Sequence, residues 1–324
     1  MRKNTLRKIS LSLIALLAIL MTFNTSYSQS TANYTFSSST TASLTDMSSG
    51  TTLVWIAGTD TYTASALTLP FDFYFMGVRY GQFSINPDGA VRLGSTAISG
   101  NGTSVAVSTV LLCPQSNDNR VGSSVASGKV HYKTTGSAPN RVLIVEWLNM
   151  KLPWNGADST SSAKHSTWQL RVYESTGKVE FVYGSMYNMA TAATTMNAFI
   201  ASSNTSNTVG WLGTLNGTVT YNTTTTPTTT SFTAQANMTG LHSASDGSRT
   251  MFTFTPPPAP SAPTGLSFTS VTATSMTLNW SDISGEYGYA IYNSTDGGST
   301  DNYVTSTAAN ATSQAVTSLV PSTS

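Results

Sequence analysis

The chain has 324 residues, 9% of them charged, and a formal net charge of +1. A surface so poor in charge offers no basic field for a phosphate backbone and no acidic field to steer cations, so nucleic acid is not an expected partner. Cys113 is the single cysteine, which rules out an internal disulfide and leaves stability to a packed core. The rest is dominated by Thr, Ser, Asn and Gly interleaved with Val, Tyr, Phe and Trp. Such a mixture suits pleated surfaces joined by turns, and with no sustained helical period the fold class expected is all-β.

Arg2, Lys3, Arg7 and Lys8 precede an uncharged run from Ile9 to Phe23, followed by Ser26-Tyr27-Ser28. This pattern predicts a signal peptide over 1–28 with cleavage after Ser28. Its apolar centre, Leu11 to Leu20, is far shorter than the roughly 20 residues of a spanning helix. No later stretch is long and apolar enough to span. The expectation is a secreted or cell-surface protein with no membrane-spanning segment once the leader is removed.

A first domain is expected over 30–255. In Leu69 to Gly94, Phe71, Phe73 and Phe75 alternate, and Asn86-Pro87-Asp88-Gly89 is a tight-turn sequence ahead of Val91 and Leu93. Asn140 to Met150 is a nearly continuous apolar run, predicting a strand buried on both faces. A sheet that apolar needs a second one over it, so the predicted architecture is a jelly-roll-like β-sandwich.

Lys151 to Thr167 follows as a long loop, the kind of segment in which recognition residues sit on a rigid scaffold. Trp154, Asn155 and Asp158 are its candidate ligand-binding residues, a flat aromatic face with polar groups around it. Trp154 either serves that role or folds back to cap the core. Ser166 to Met186 then reads as a β-hairpin. Trp168, Leu170 and Val172 face Val179, Phe181 and Tyr183, and Gly177 supplies the positive φ of the turn. The Thr-rich tract from Tyr221 to Thr233 is a surface loop or an edge strand, since Pro227 forbids a central one.

Five prolines between Pro256 and Pro263 mark a semi-rigid linker over 256–263. In the second domain, 263–324, Leu266 and Phe268 lead one strand. Met276, Leu278 and Trp280 alternate on the next, then Tyr287, Tyr289 and Ile291.

Catalytic patterns are absent from the sequence: no nucleophile elbow, zinc-binding His pair or phosphate-binding loop occurs. His131, His165 and His242 stand singly, so neither a metal site nor a cofactor is expected. Glu146, Glu174 and Glu180 are the carboxylates to weigh for glycoside hydrolysis. An inward Glu146 would make a general acid with raised pKa, whereas an outward one would pair with an Arg or Lys; the outward reading is preferred, and no catalytic residue is assigned.

The stretches from Leu69 to Gly94, Gly128 to Met150, Trp168 to Gly184 and Ser248 to Pro256 resemble, in that order, the N-terminal β-sandwich module of secreted and surface proteins of Bacteroidota. The phenylalanine-rich strand and asparagine-glycine turn are also loosely similar to nidogen-like domains. The likeness covers about residues 31–256. It implies a surface location and type IX secretion, with no established chemistry. Where such modules carry a small residue, Pro and two acids, this chain has Cys113-Pro114-Gln115-Ser116-Asn117-Asp118. Cys113 is therefore expected in a small buried slot, and a cation site built on paired acids is not carried over.

The second domain resembles a fibronectin type III domain in Pro263-Thr264-Gly265-Leu266, Leu278-Asn279-Trp280 and Tyr289-Ala290-Ile291-Tyr292. Leu319, Pro321 and Thr323 are similar to the turn before its sixth strand, which implies a domain truncated before its last two strands. The function expected is that of a noncatalytic adhesion or binding protein contacting glycans or surface proteins. Two other readings stay open: ancillary modules of a secreted hydrolase whose catalytic domain lies beyond residue 324, and a structural spacer.

Overall fold

The computed structural model describes residues 30–60, 65–99, 110–123, 127–156, 159–201, 209–224, 226–241, 249–258, 260–286, 288–294 and 302–320. The signal peptide expected over 1–28, Asp158, His242 and Tyr287 lie outside the described residues. No helix among the described residues is long and apolar enough to cross a membrane. The chain forms two compact units, one spanning 30–257 and the other containing 258–324.

The first unit contains, in chain order, β1 (Thr35–Ala42), β2 (Thr52–Ile56), β3 (Leu67–Phe75), β4 (Val78–Ile85), β5 (Val91–Leu93) and β6 (Leu111–Ser116). There follow β7 (Arg120–Val121), β8 (Lys129–Thr135), β9 (Val142–Lys151), β10 (Ser166–Tyr173), β11 (Val179–Tyr183) and β12 (Tyr187–Asn188). The last six are β13 (Thr194–Ala201), β14 (Val209–Gly213), β15 (Thr220–Thr224), β16 (Thr230–Phe232), β17 (Ala236–Asn237) and β18 (Arg249–Thr255). One sheet has the order β1-β18-β11-β10-β9-β8-β2 with β7 beside β9; the other is β15-β14-β13-β6-β5-β4-β3 with β16 beside β13. β12 and β17 form a separate short pair. Consecutive strands mostly pair as antiparallel meanders, so the all-β sandwich expected from the sequence is what forms.

Period-two alternation decides which side chains meet between the sheets. Phe73, Phe75, Phe83 and Ile85 from one sheet pack against Val145, Trp147, Trp168, Leu170, Phe181 and Phe252 from the other, all fully buried. Trp147 and Trp168 stack with centroids 5.7 Å apart. The predicted hairpin has the register Trp168↔Tyr183, Leu170↔Phe181 and Val172↔Val179, with Gly177 at φ +65. A slip by one residue would turn Trp168 out of the core, so the register is tightly specified. β9 is buried on both faces as its composition predicts. The Thr-rich tract supplies β15, which is an edge strand. Cys113 is fully buried in a second apolar cluster with Ala90, Ile98, Phe199 and Trp211, and burial pushes its thiol pKa well up, which leaves it inert.

Glu146 points away from the sandwich core yet is only 5% exposed. Its partners correct the Arg or Lys expected from the sequence: Oε2 lies 2.7 Å from His131 Nε2, and Oε1 accepts a 2.8 Å hydrogen bond from Gln169 Nε2. The reason is register, since His131 on β8 and Gln169 on β10 sit directly opposite Glu146 on β9. Residues 43–47 lie over this row. Gln169 bonds both the N–H and the carbonyl of Thr45, at 2.9 and 2.8 Å, Lys133 reaches Asp46 O and Arg171 reaches Ser43 O.

The second unit contains β19 (Ser267–Thr269), β20 (Met276–Asn279), β21 (Ala290–Asn293), β22 (Asn302–Ser306) and β23 (Ser313–Val316). They pair as β19-β20-β23 and β21-β22. Met276, Leu278 and Trp280 alternate inward as predicted and pack with Ile291 and Val316.

Candidate functional site

The site starts where β9 runs out. Leu152 is fully buried, and its carbonyl accepts from Met189 N at 2.7 Å. Two residues on, Trp154 N donates to Asp118 O at 2.8 Å, and Gly156 N donates to Pro153 O at 2.9 Å. Gly156 is pressed so closely on Met189 that an added Cβ would sit 2.8 Å from its side chain and carbonyl. The backbone of 152–156 is thus held on both sides, yet Trp154 stays 44% exposed and outside the core. Asn155 beside it is exposed as well.

Asp118 is positioned by a buried polar knot between two turns. Asn86 Oδ1 accepts from Ala90 N at 2.9 Å and closes the Asn86-Pro87-Asp88-Gly89 turn. Asp88 Oδ1 then accepts from Asn119 N at 2.8 Å, while Asn119 Nδ2 donates to Asp88 O at 2.9 Å and to Gln115 Oε1. Asn117 Oδ1 accepts from Asp118 N at 2.8 Å, and Asn117 Nδ2 donates to Thr195 O at 3.2 Å. Trp147 Nε1 donates to Asn86 O at 2.8 Å and ties the knot to the core. Each bond here saves a buried polar group from going unpaired, which is worth more than the bond's modest net gain.

Four charges gather beside the knot. Partial desolvation, followed by the proximity of Asp118, holds the Asp60 carboxyl above the usual carboxylate range, against the opposing pull of Arg120 and Lys151. Lys151 is only 7% exposed, whereas Arg120 is half-buried and donates from Nε to Gly58 O at 3.0 Å. Asp60 is exposed and Asp118 half-buried.

Of the predicted site residues, the structure places Trp154 and Asn155 together at this end of the sandwich. Asp60, Asp118, Arg120 and Lys151 were missed. The Asn117-Asp118-Asn119 run, dense in residues that bond their own backbone, was the one local signal available. The carboxylates weighed for hydrolysis sit elsewhere and are each engaged. Glu174 is gripped by Arg141 at 2.5 and 2.8 Å, and Glu180 holds Tyr173 Oη at 2.6 Å and Lys178 Nζ at 2.7 Å. Among the described residues no group of three or more His, Cys, Asp or Glu is arranged to hold a metal.

A family model described as NIDO related matches residues 33–256. No curated protein and no solved structure matches the chain. The matched span takes in both sheets and every residue of the site just described, and it accords with the nidogen-like likeness of the phenylalanine-rich strand and its turn. The chain belongs to the NIDO-related family.

Proposed function

We propose that the chain is a noncatalytic extracellular binding protein whose sandwich contacts glycans or proteins through the end that carries Trp154. The observation behind this reading is an indole left 44% exposed on a backbone fixed by hydrogen bonds to Asp118 and Met189. A large aromatic surface held in place loses little entropy on binding, which is what makes such residues effective anchors. Export through the leader at 1–28 and display outside the cell fit the composition and the family. The noncatalytic reading is supported by the engagement of Glu146, Glu174 and Glu180 in tight pairs outside the site. A fibronectin type III identity for the second unit draws support from the inward alternation on β20 and from the pairing β19-β20-β23 opposite β21-β22.

The test is to present the full chain and its Trp154→Ala variant to arrays of glycans and extracellular proteins. Retention that falls when the indole is removed is the expected result. Equal retention of both forms, or none of either, would sink the reading in favour of a spacer.

A further inference from the structure

On the outer face of the sheet that contains β9, residues 43–47 lie over the row of His131, Glu146 and Gln169, and all three are buried. The neighbouring row is open. Pairing sets Ile56 on β2 beside Lys129 on β8, and Lys129 beside Leu148 on β9. Ile56 is 61% exposed, Lys129 and Leu148 are half-buried, and Leu53, opposite His131, is 54% exposed. Leu53 and Ile56 share this face because of a bulge. Three residues apart on a regular strand they would face opposite ways, but the register shifts between Leu53 and Trp55, and Val54 and Trp55 both pack against the core. At the centre of the row stands Lys129, whose ammonium has no partner among the described residues. Lys133 and Arg171 on the same face are by contrast committed to Asp46 O and Ser43 O, and Glu146 is spent on His131 and Gln169. Among the described residues β2 is the last strand of its sheet, so the row runs out to an open edge.

From this row we infer that the outer face at β2 docks a protein segment in which a carboxylate lies between two aliphatic side chains, a contact additional to the one proposed for Trp154. An unpaired ammonium flanked by Ile56 and Leu148 offers apolar contact on both sides and one charge-assisted bond in the middle. Two strand spacings put Ile56 and Leu148 about 10 Å apart. An extended peptide turns every second side chain to one face at intervals of about 7 Å, so aliphatic, acidic and aliphatic residues at alternate positions cover that span. The row holds no aromatic plate on which a sugar could stack. A two-fold contact centred on it would bring Lys129 against its own counterpart, which disfavours a second copy of the chain. An anionic bilayer would meet one cation here, too little attraction to hold the chain at a surface.

The contact is small, so the probes are immobilised at high density to make weak binding measurable. They are the acetylated and amidated peptides Leu-Ser-Glu-Ser-Leu, Leu-Ser-Gln-Ser-Leu and Leu-Ser-Lys-Ser-Leu. Retention of the full chain is compared with that of Lys129→Glu, Ile56→Asp and Val78→Asp. The Glu peptide is expected to retain the chain about threefold to fivefold better than the Gln peptide, the effect of one partly exposed ion pair, and the Lys peptide least. Lys129→Glu should reverse that order, which a purely structural role for Lys129 would not do. Ile56→Asp should lose most of the retention on the Glu peptide. Val78→Asp, at an exposed position on the other sheet, should behave as the unsubstituted chain.

Equal retention on the three peptides, retention on none, or an order that Lys129→Glu leaves unchanged overturns the proposal. Vesicles of phosphatidylglycerol with phosphatidylcholine, and sedimentation of the chain alone, test the other occupants. Ile56-dependent binding to the vesicles without a preference for the Glu peptide would assign the row to a lipid surface. Ile56-dependent dimerisation would assign it to a second copy, and either result overturns the proposal as well.

Discussion

Glu146, weighed as a general acid in the sequence, is held on the outer face of its sheet by two neighbours. It is a buried carboxylate on a central strand, but both of its oxygens are spent, on His131 at 2.7 Å and on Gln169 at 2.8 Å. His131 is 1% exposed and its Nδ1 has no partner, so Nε2 is the ring's sole anchor. Removing one member of a buried pair strands the other, which costs more than the pair itself contributes. Glu146→Ala should therefore lower unfolding free energy by about 3–5 kcal/mol in chemical denaturation. Replacing both members together, in His131→Leu with Glu146→Leu, should recover much of that loss because the polar demand disappears with the pair. Additive losses in the double variant would mean that the two side chains act independently.

The hairpin β10–β11 and the phenylalanine-rich β3 were legible in the sequence because period-two alternation reports directly which side of a sheet a residue takes. Trp168, Leu170, Phe73 and Phe75 are buried where that alternation puts them. The outer face was less legible. Nothing local to Glu146 reveals that His131 and Gln169 will flank it, since that depends on the register of two other strands. The site was half legible: Trp154 and Asn155 lie in one loop, whereas Asp60, Asp118 and Lys151 are brought together only by sheet order.

That convergence hangs on Gly89. It sits at φ +103 with Gln115 O only 2.1 Å from where a Cβ would be, so this turn and β6 touch backbone to backbone. Gly177 in the hairpin also has positive φ, but its Cβ would meet the Pro256 ring at 3.2 Å and Tyr74 O at an ordinary 3.7 Å. Gly177→Ala should cost about 1–2 kcal/mol, chiefly the penalty of a left-handed backbone conformation. Gly89→Ala should cost clearly more than that, because the turn must also part from β6. It should weaken ligand binding too, with Trp154 unchanged, by shifting Asp118. Equal melting shifts for the two variants would show that the turn and β6 are not held in contact.

At the scale of the molecule, the site belongs to one unit. The core of 30–257 is drawn from its two sheets, and the smaller core of Met276, Leu278, Trp280, Ile291 and Val316 belongs to 258–324. Between them runs a segment whose prolines at 256, 257, 258, 260 and 263 lack backbone donors and favour extended geometry over further pairing. β18 ends at Thr255, and its last paired residue is locked to Thr35 of β1, so the sandwich closes before the prolines begin. A chain of residues 30–257 should consequently keep all the contacts that stabilise the sheets and position Trp154. Calorimetry of this segment should show one cooperative transition within about 2 °C of the main transition of the full chain, since for a domain of this size 1 kcal/mol moves the midpoint by about 2–4 °C. Its Trp154-dependent binding should match that of the full chain. A markedly lower midpoint, or binding that returns only when 258–324 is restored, would assign part of the sandwich's stability or of its site to the second unit.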